Sequence, residues 1–221
     1  MSEGFKRRAQ SRLGEGAALK EDILRAAARL LMESGREGDL SLRAIAREVG
    51  ISAPSIYLHF QDRAELVQEL TRRAFARLAD ELRDAWEQGE GTEKERTQVP
   101  EQARGQQHGP EAALRAMAHR YCHFALDNPK IYRLMFGIQR IEVPREQASS
   151  HPLWLVYERW AEAVAACRVG RGSEADDERV AKLLWSALHG LVAMAMAVPF
   201  PVSRRQMVQS ADDYLELALS R

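Results

Sequence analysis

SLRAIAREVGISAPSIYLHFQDRAEL, residues 41–66, decides the fold of this chain. Ser41 is a good N-cap, because its hydroxyl can accept an orphan N–H of a first helical turn. Leu42, Ile45, Ala46 and Val49 then recur at helical spacing and make one apolar face. Gly50 follows at once, and glycine can turn left-handed after a helix end. Ile51 plugs the corner. Ser52 can cap again, and Pro54 sits in the first turn, where its missing N–H costs nothing. The second helix is expected to reach about residue 60. Asp62 with Glu65 is an acidic capping-box pattern that opens a third helix.

Two short helices joined through a glycine corner form a helix-turn-helix, a shape that lays its second helix in a DNA major groove. Ile56 and Phe60, four apart, face the core. Ser55, Tyr57, Leu58 and His59 then point elsewhere, with Ala53 and Pro54 at the helix tip. The surface so made is small, mostly uncharged and rich in hydroxyls. The same pattern also serves as a three-helix packing unit without a DNA role.

The stretch resembles the DNA-binding domain of the tetracycline-repressor (TetR) family of bacterial regulators, over about residues 19–75. The resemblance rests on Ser41 with Ile45-Ala46, Gly50-Ile51-Ser52, Ile56-Tyr57-x-His59-Phe60 and Phe60-x-x-Arg63-x-x-Leu66. The family often has Thr, Gly and Lys where Ser41, Pro54 and Arg63 stand. The resemblance implies that Ser41, Arg43, Tyr57, His59 and Arg63 fix register on phosphates. It also implies that Ser52, Ala53, Pro54, Ser55 and Tyr57 meet base edges.

Charge adds little. Lys+Arg equals Asp+Glu at 32 each, so no global basicity announces nucleic acid. Residues 1–75 carry 13 basic and 11 acidic side chains, so DNA affinity must come from local placement. Lys6, Arg7, Arg8 and Arg12 supply a basic arm; Arg43, Arg47 and Arg63 surround the motif. Binding through such groups is salt-dependent. Cys122 and Cys167 are too few for a disulfide framework and fit a reducing cytoplasm. The N-terminus has no apolar core and is not expected to be a signal peptide.

Apolar periodicity places the remaining elements. A disordered arm is expected over residues 1–17, followed by a first helix over 19–34 with Ile23, Ala27, Leu30 and Leu31 inside. The motif unit is taken as residues 18–75 and a C-terminal domain as 76–221. Leu66, Leu70, Ala74, Leu78 and Leu82 run at spacing four, so one long helix over 62–87 crosses that boundary. Residues 88–110 contain one aliphatic side chain, Val99, and are expected to be a mobile loop. Leu114, Met117, Ala118, Tyr121 and Ala125 define a helix over 110–127. A short helix follows from Pro129 to Gly137. Leu153, Val156, Trp160, Val164 and Cys167 define another over 152–168, and 170–177 is expected to be a loop. Helices over about 178–198 and 203–219 close the chain. No strand pattern stands out, so the fold class is all-α.

Residues 183–202 form the longest apolar stretch. It is interrupted by Ser186, His189, Gly190, Pro199 and Pro201, and it fits a buried helix better than a membrane span. A helix apolar on nearly every side must be covered on nearly every side. A second copy of the chain can complete the cover, giving a four-helix interface and a homodimer. Palindromic operators require two matched reading heads.

The C-terminal half also resembles a TetR subgroup marked by Trp-x-x-x-His-Gly, here Trp185, His189 and Gly190. This resemblance implies a small-molecule effector between the middle helices. The candidate lining is Met117, Tyr121, Phe124, Met135, Phe136, Trp160, Trp185 and His189, with His189 as the polar fixing point. Each of these also fits an ordinary core position.

His119 and His123 lie four apart around Cys122, a spacing that could hold a metal or sense thiol chemistry. His189 could approach them, but both histidines fall away from the apolar face, and no carboxylate or Cys pair accompanies them. No metal site, cofactor or catalytic residue is expected. No His-Glu-x-x-His, phosphate loop or nucleophile elbow supports an enzyme. The expected protein is a cytoplasmic, homodimeric regulator of transcription. It would act as a repressor on double-stranded DNA and be released by a small apolar effector. A helical adaptor that binds protein is the alternative.

Overall fold

A computed structural model describes residues 16–34, 40–91, 109–137, 151–170, 172–197 and 203–220. Among the described residues the chain is all-α. The helices are α1 Gly16–Ser34, α2 Leu42–Val49, α3 Ala53–Ile56, α4 Arg63–Glu90, α5 Pro110–Asp127, α6 Pro129–Phe136, α7 Leu153–Cys167, α8 Glu174–Ala197 and α9 Arg204–Leu219. The chain packs as two units. The first takes the described residues up to Ala74 together with those from Lys130 to Gly137; the second takes the others.

The first unit closes around Ile23, Ala27 and Leu31 of α1, Leu42, Ile45 and Ala46 of α2, then Ile56, Phe60, Leu66 and Leu70. Each fully buried Leu, Ile or Phe contributes about 1.5–3 kcal/mol. Val49 and Ile51 pack partly buried against this core. So do Ile131 and Leu134 of α6, although they lie in the middle of the sequence. The Lys130 ammonium donates to the carbonyls of Met32 and Glu33, the open C-terminal end of α1. Arg73 of α4 pairs with Glu21 of α1 and with Glu69 at 2.8 Å.

The second unit gathers the later turns of α4 with α5, α7, α8 and α9. Arg120 of α5 pairs with Glu81 of α4 at 2.6 Å. Gly89 lets the end of α4 lie on α5: a Cβ there would sit 2.6 Å from the Ala113 Cα. Arg168, buried at the end of α7, holds Asp177 of α8 at 2.8 Å. Ser203 and Gln206 form a reciprocal capping box that starts α9.

Several boundaries differ from expectation. Gly16 and Ala17 are helical and not part of an arm; residues 1–15 lie outside the described set. Residues 88–90 continue α4 beyond its expected end at 87; residues 92–108, most of the expected loop, lie outside the description. Helix α8 begins at Glu174, four residues before the expected start. Ser173 accepts the Asp176 N–H at 3.3 Å, and Glu174, Asp176 and Asp177 fill the first turn, where negative charge complements the helix dipole.

The apolar helix α8 is covered only in part within the chain. It buries Ala181, Leu184, Leu188 and Val192. On another face Leu183 is 65% exposed and Met194 69% exposed. By length and composition α8 could cross a membrane, a test that core helices of soluble proteins also pass. Only 22% of its apolar window is buried among the described residues.

Candidate functional site

The corner is built by caps. Ser41 Oγ accepts the Ala44 N–H at 3.0 Å. Gly50 adopts φ 77°, and its N–H and that of Ile51 satisfy the last carbonyls of α2. Ser52 Oγ accepts the Ser55 N–H at 3.3 Å and lies 2.6 Å from Ser55 Oγ. Asp62 caps Glu65 at 2.8 Å. The Glu65 carboxylate reaches back to the Gln61 N–H at 2.7 Å, one residue earlier than a standard capping box.

Helix α3 stops at Ile56 and does not run to residue 60. The amides of Leu58 and His59 reach back three residues, to Ser55 and Ile56, so residues 57–59 wind as tight turns. This winding brings Phe60 into the core at 1% exposure, immediately before the cap of α4.

The nine residues proposed for DNA divide by exposure. Ser41, Arg43, Ser52, Pro54 and Tyr57 are exposed; Ala53, Ser55, His59 and Arg63 are half-buried. Tyr57 is 51% exposed and Leu58 85%, while Ile56 is fully buried. The turn after α3 therefore projects from a closed core. Arg43 and Arg47 are both exposed on α2, and neither forms an ion pair among the described residues. Leu58, which was not among the candidates, is more open than Tyr57 beside it. Lys20, on α1, places its ammonium 5.2 Å from the Phe60 ring.

The effector candidates separate. Met117, Tyr121, Phe124 and Trp160 are buried in the second unit, and Trp185 and His189 are half-buried there. Met135 and Phe136 belong to the first unit, where Phe136 stacks on Tyr132 at 4.7 Å. Within the second unit Tyr121 meets Trp160 edge-on at 5.9 Å. The Tyr121 hydroxyl lies 3.5 Å from His189 Nδ1. Tyr157, which the sequence reading passed over, joins Trp154 at 5.8 Å to Trp185 at 6.3 Å. Its place three residues before Trp160 on α7 was the available signal. Burial lowers the His189 pKa.

His119 does not simply face solvent: its Nε2 lies 2.8 Å from Asp212 of α9, which also holds Arg115 at 2.7 Å. His123 is half-buried, and its pKa is lowered by burial and by Arg204. Cys122 is buried, and desolvation with the Asp212 charge pushes its thiol up to about 12, where it is inert at neutral pH. No three His, Cys, Asp or Glu side chains form a metal-ligand group among the described residues.

Comparison with known proteins fits this architecture. The description "Bacterial regulatory proteins, tetR family" matches residues 23–70, and "Tetracyclin repressor-like, C-terminal domain" matches residues 114–221. The uncharacterized HTH-type transcriptional regulator YobS of Bacillus subtilis (strain 168) is 26% identical over 128 residues; the match spans 57% of this chain and 56% of YobS. A solved protein of unknown function from Rhodococcus sp. RHA1 is 26% identical, with TM-score 0.66, covering 93% of this chain and 98% of that one. The TetR family transcriptional regulator PfmR from Thermus thermophilus is 19% identical, with TM-score 0.58, covering 90% and 97%. With a capped helix-turn-helix in the first unit and a helical second unit, the chain belongs to the TetR family of bacterial transcription regulators.

Proposed function

We propose that the chain is a cytoplasmic, homodimeric repressor that binds a palindromic operator and releases it on binding a small apolar effector. The turn that follows α3 carries this reading: Tyr57 and Leu58 are exposed beside a fully buried Ile56. Ser52 to Tyr57 would meet base edges in the major groove. Ser41, Arg43, Tyr57, His59 and Arg63 would hold phosphates. Arg47, exposed on α2, can add to the salt-dependent part of binding.

A second copy of the chain is the occupant assigned to the open faces of α8 and α9. Leu183 and Met194 on α8 and Leu217 on α9 are each about two-thirds exposed. Small residues intervene on α8: Ser186, Gly190 and Ala193. An added Cβ at Gly190 would meet nothing within 4 Å in its own subunit. Matched reading heads on a two-fold axis follow from such an isologous contact.

The effector would enter the aromatic cluster of α5, α7 and α8, consistent with the Trp-x-x-x-His-Gly resemblance at Trp185, His189 and Gly190. Helix α4 starts in the first unit and ends in the second, and the chain returns to the first unit at Lys130. These are the covalent routes by which the effector state would bias the spacing of the heads. Only an effector that prefers the non-binding spacing can release DNA.

The test is capture and sequencing of genomic fragments retained by the purified protein, repeated with Tyr57→Ala. A shared palindrome is expected for the parent. Loss of retention with an intact dimer is expected for the variant, and equal retention by both would contradict the assignment.

A further inference from the structure

Trp160 is fully buried and Trp185 half-buried, and the indole N–H of each is shut away from solvent with no acceptor among the described residues. A buried donor without an acceptor forfeits its hydration and regains nothing. Two such donors fall in one aromatic cluster. Tyr121 packs on Trp160 and reaches toward His189; His189 lies one turn beyond Trp185 on α8; Tyr157, one turn before Trp160 on α7, packs on Trp185.

Two cations that lie against aromatic rings of the second unit are already engaged. Lys182 lies 5.5 Å from the Tyr157 ring and pairs with Glu178 at 3.2 Å. Arg77 lies against Phe124, 5.5 Å from its ring centre, and pairs with Glu81 at 2.8 Å. Neither cation stands ready to neutralise a buried anion.

We propose that this cluster binds an uncharged, flat, largely aromatic molecule bearing carbonyl-type oxygen acceptors, which take the indole N–H groups of Trp160 and Trp185. The proposal rests on the effector reading above and names the chemical class of that effector. A hydrocarbon of the same shape would leave both donors unmet. A carboxylate would meet them but would carry an uncompensated charge into an apolar site. Discrimination against an analogue lacking the acceptor follows from the buried donors it leaves unpaired.

The test is calorimetric titration of the full chain with three matched probes: methyl 2-naphthoate, 2-propylnaphthalene and 2-naphthoate. The neutral ester is expected to bind at least about tenfold more tightly than either of the others. Trp185→Phe is expected to reduce the ester's advantage over the hydrocarbon to within about threefold while the protein still melts cooperatively. Trp160→Phe is expected to do the same, and Trp185→Phe keeps the question open to refutation should Trp160→Phe fail to fold. Equal binding of ester and hydrocarbon would overturn the acceptor class but leave an apolar effector site standing. Tightest binding of 2-naphthoate would overturn the requirement for a neutral molecule. No binding of any probe would overturn both this proposal and the effector reading on which it rests.

Discussion

Leu183→Ala should weaken the dimer without weakening the subunit. The side chain is 65% exposed in its own subunit, so truncation removes little from the fold. Burying a whole Leu contributes about 1.5–3 kcal/mol, so covering the exposed two-thirds contributes about 1–2 kcal/mol. A two-fold interface contains the residue twice, which raises the loss to about 2–4 kcal/mol per dimer. At tenfold per 1.4 kcal/mol, the dissociation constant should rise roughly 30- to several-hundred-fold. Sedimentation velocity over a dilution series would measure it, with thermal melting as the control on the subunit. Operator affinity should fall at low protein concentration and recover as concentration rises. Dimerisation unchanged in Leu183→Ala and again in Met194→Ala would refute the α8 interface.

Gly89→Ala tests the close approach of α4 to α5. Helix propensity alone would favour the change by about 1 kcal/mol. The new methyl would instead meet backbone atoms of Ala113 at 2.6 Å, so a net loss of about 1–2 kcal/mol in chemical denaturation is expected. Glu69 should leave a mark on acid unfolding. Hydrogen bonding to Arg72, and then to Arg73, lowers its pKa from 4.5 to about 2. Its contribution is therefore complete above the unfolded value and lost as pH falls toward the folded one. Glu69→Gln should flatten the stability profile between about pH 5 and pH 2, by a modest amount because its partner Arg72 is more than half exposed and solvent screens the pair.

Local chemistry made most helices legible. Ser41, Gly50 and Ser52 announced their caps, and each of them caps the expected helix. The spacing-four row from Leu66 to Leu82 gave α4, and every member is buried. Misreadings arose where local signals conflicted. The acidic run at 174–177 reads as a polar loop, yet Ser173 and its acidic first turn are themselves a start signal. The shortening of α3 depends on Phe60 dropping into the core, which the spacing from Ile56 suggested but could not time. Long-range pairings were invisible. Asp212 finds His119 from 93 positions away, so the helical wheel of α5 alone left that histidine facing outward. Met135 and Phe136 looked like effector lining by residue type, but α6 returns to the first unit.

That return has a practical consequence for anyone who cuts or grafts the reading head. A fragment ending near residue 75 would lack Ile131 and Leu134, leaving greasy surface bare, and would lose the Lys130 amine that donates to the carbonyls of Met32 and Glu33. Chimeras that exchange specificity between relatives should therefore transplant two separate pieces of chain, or keep the recipient's own short return helix and match its seat.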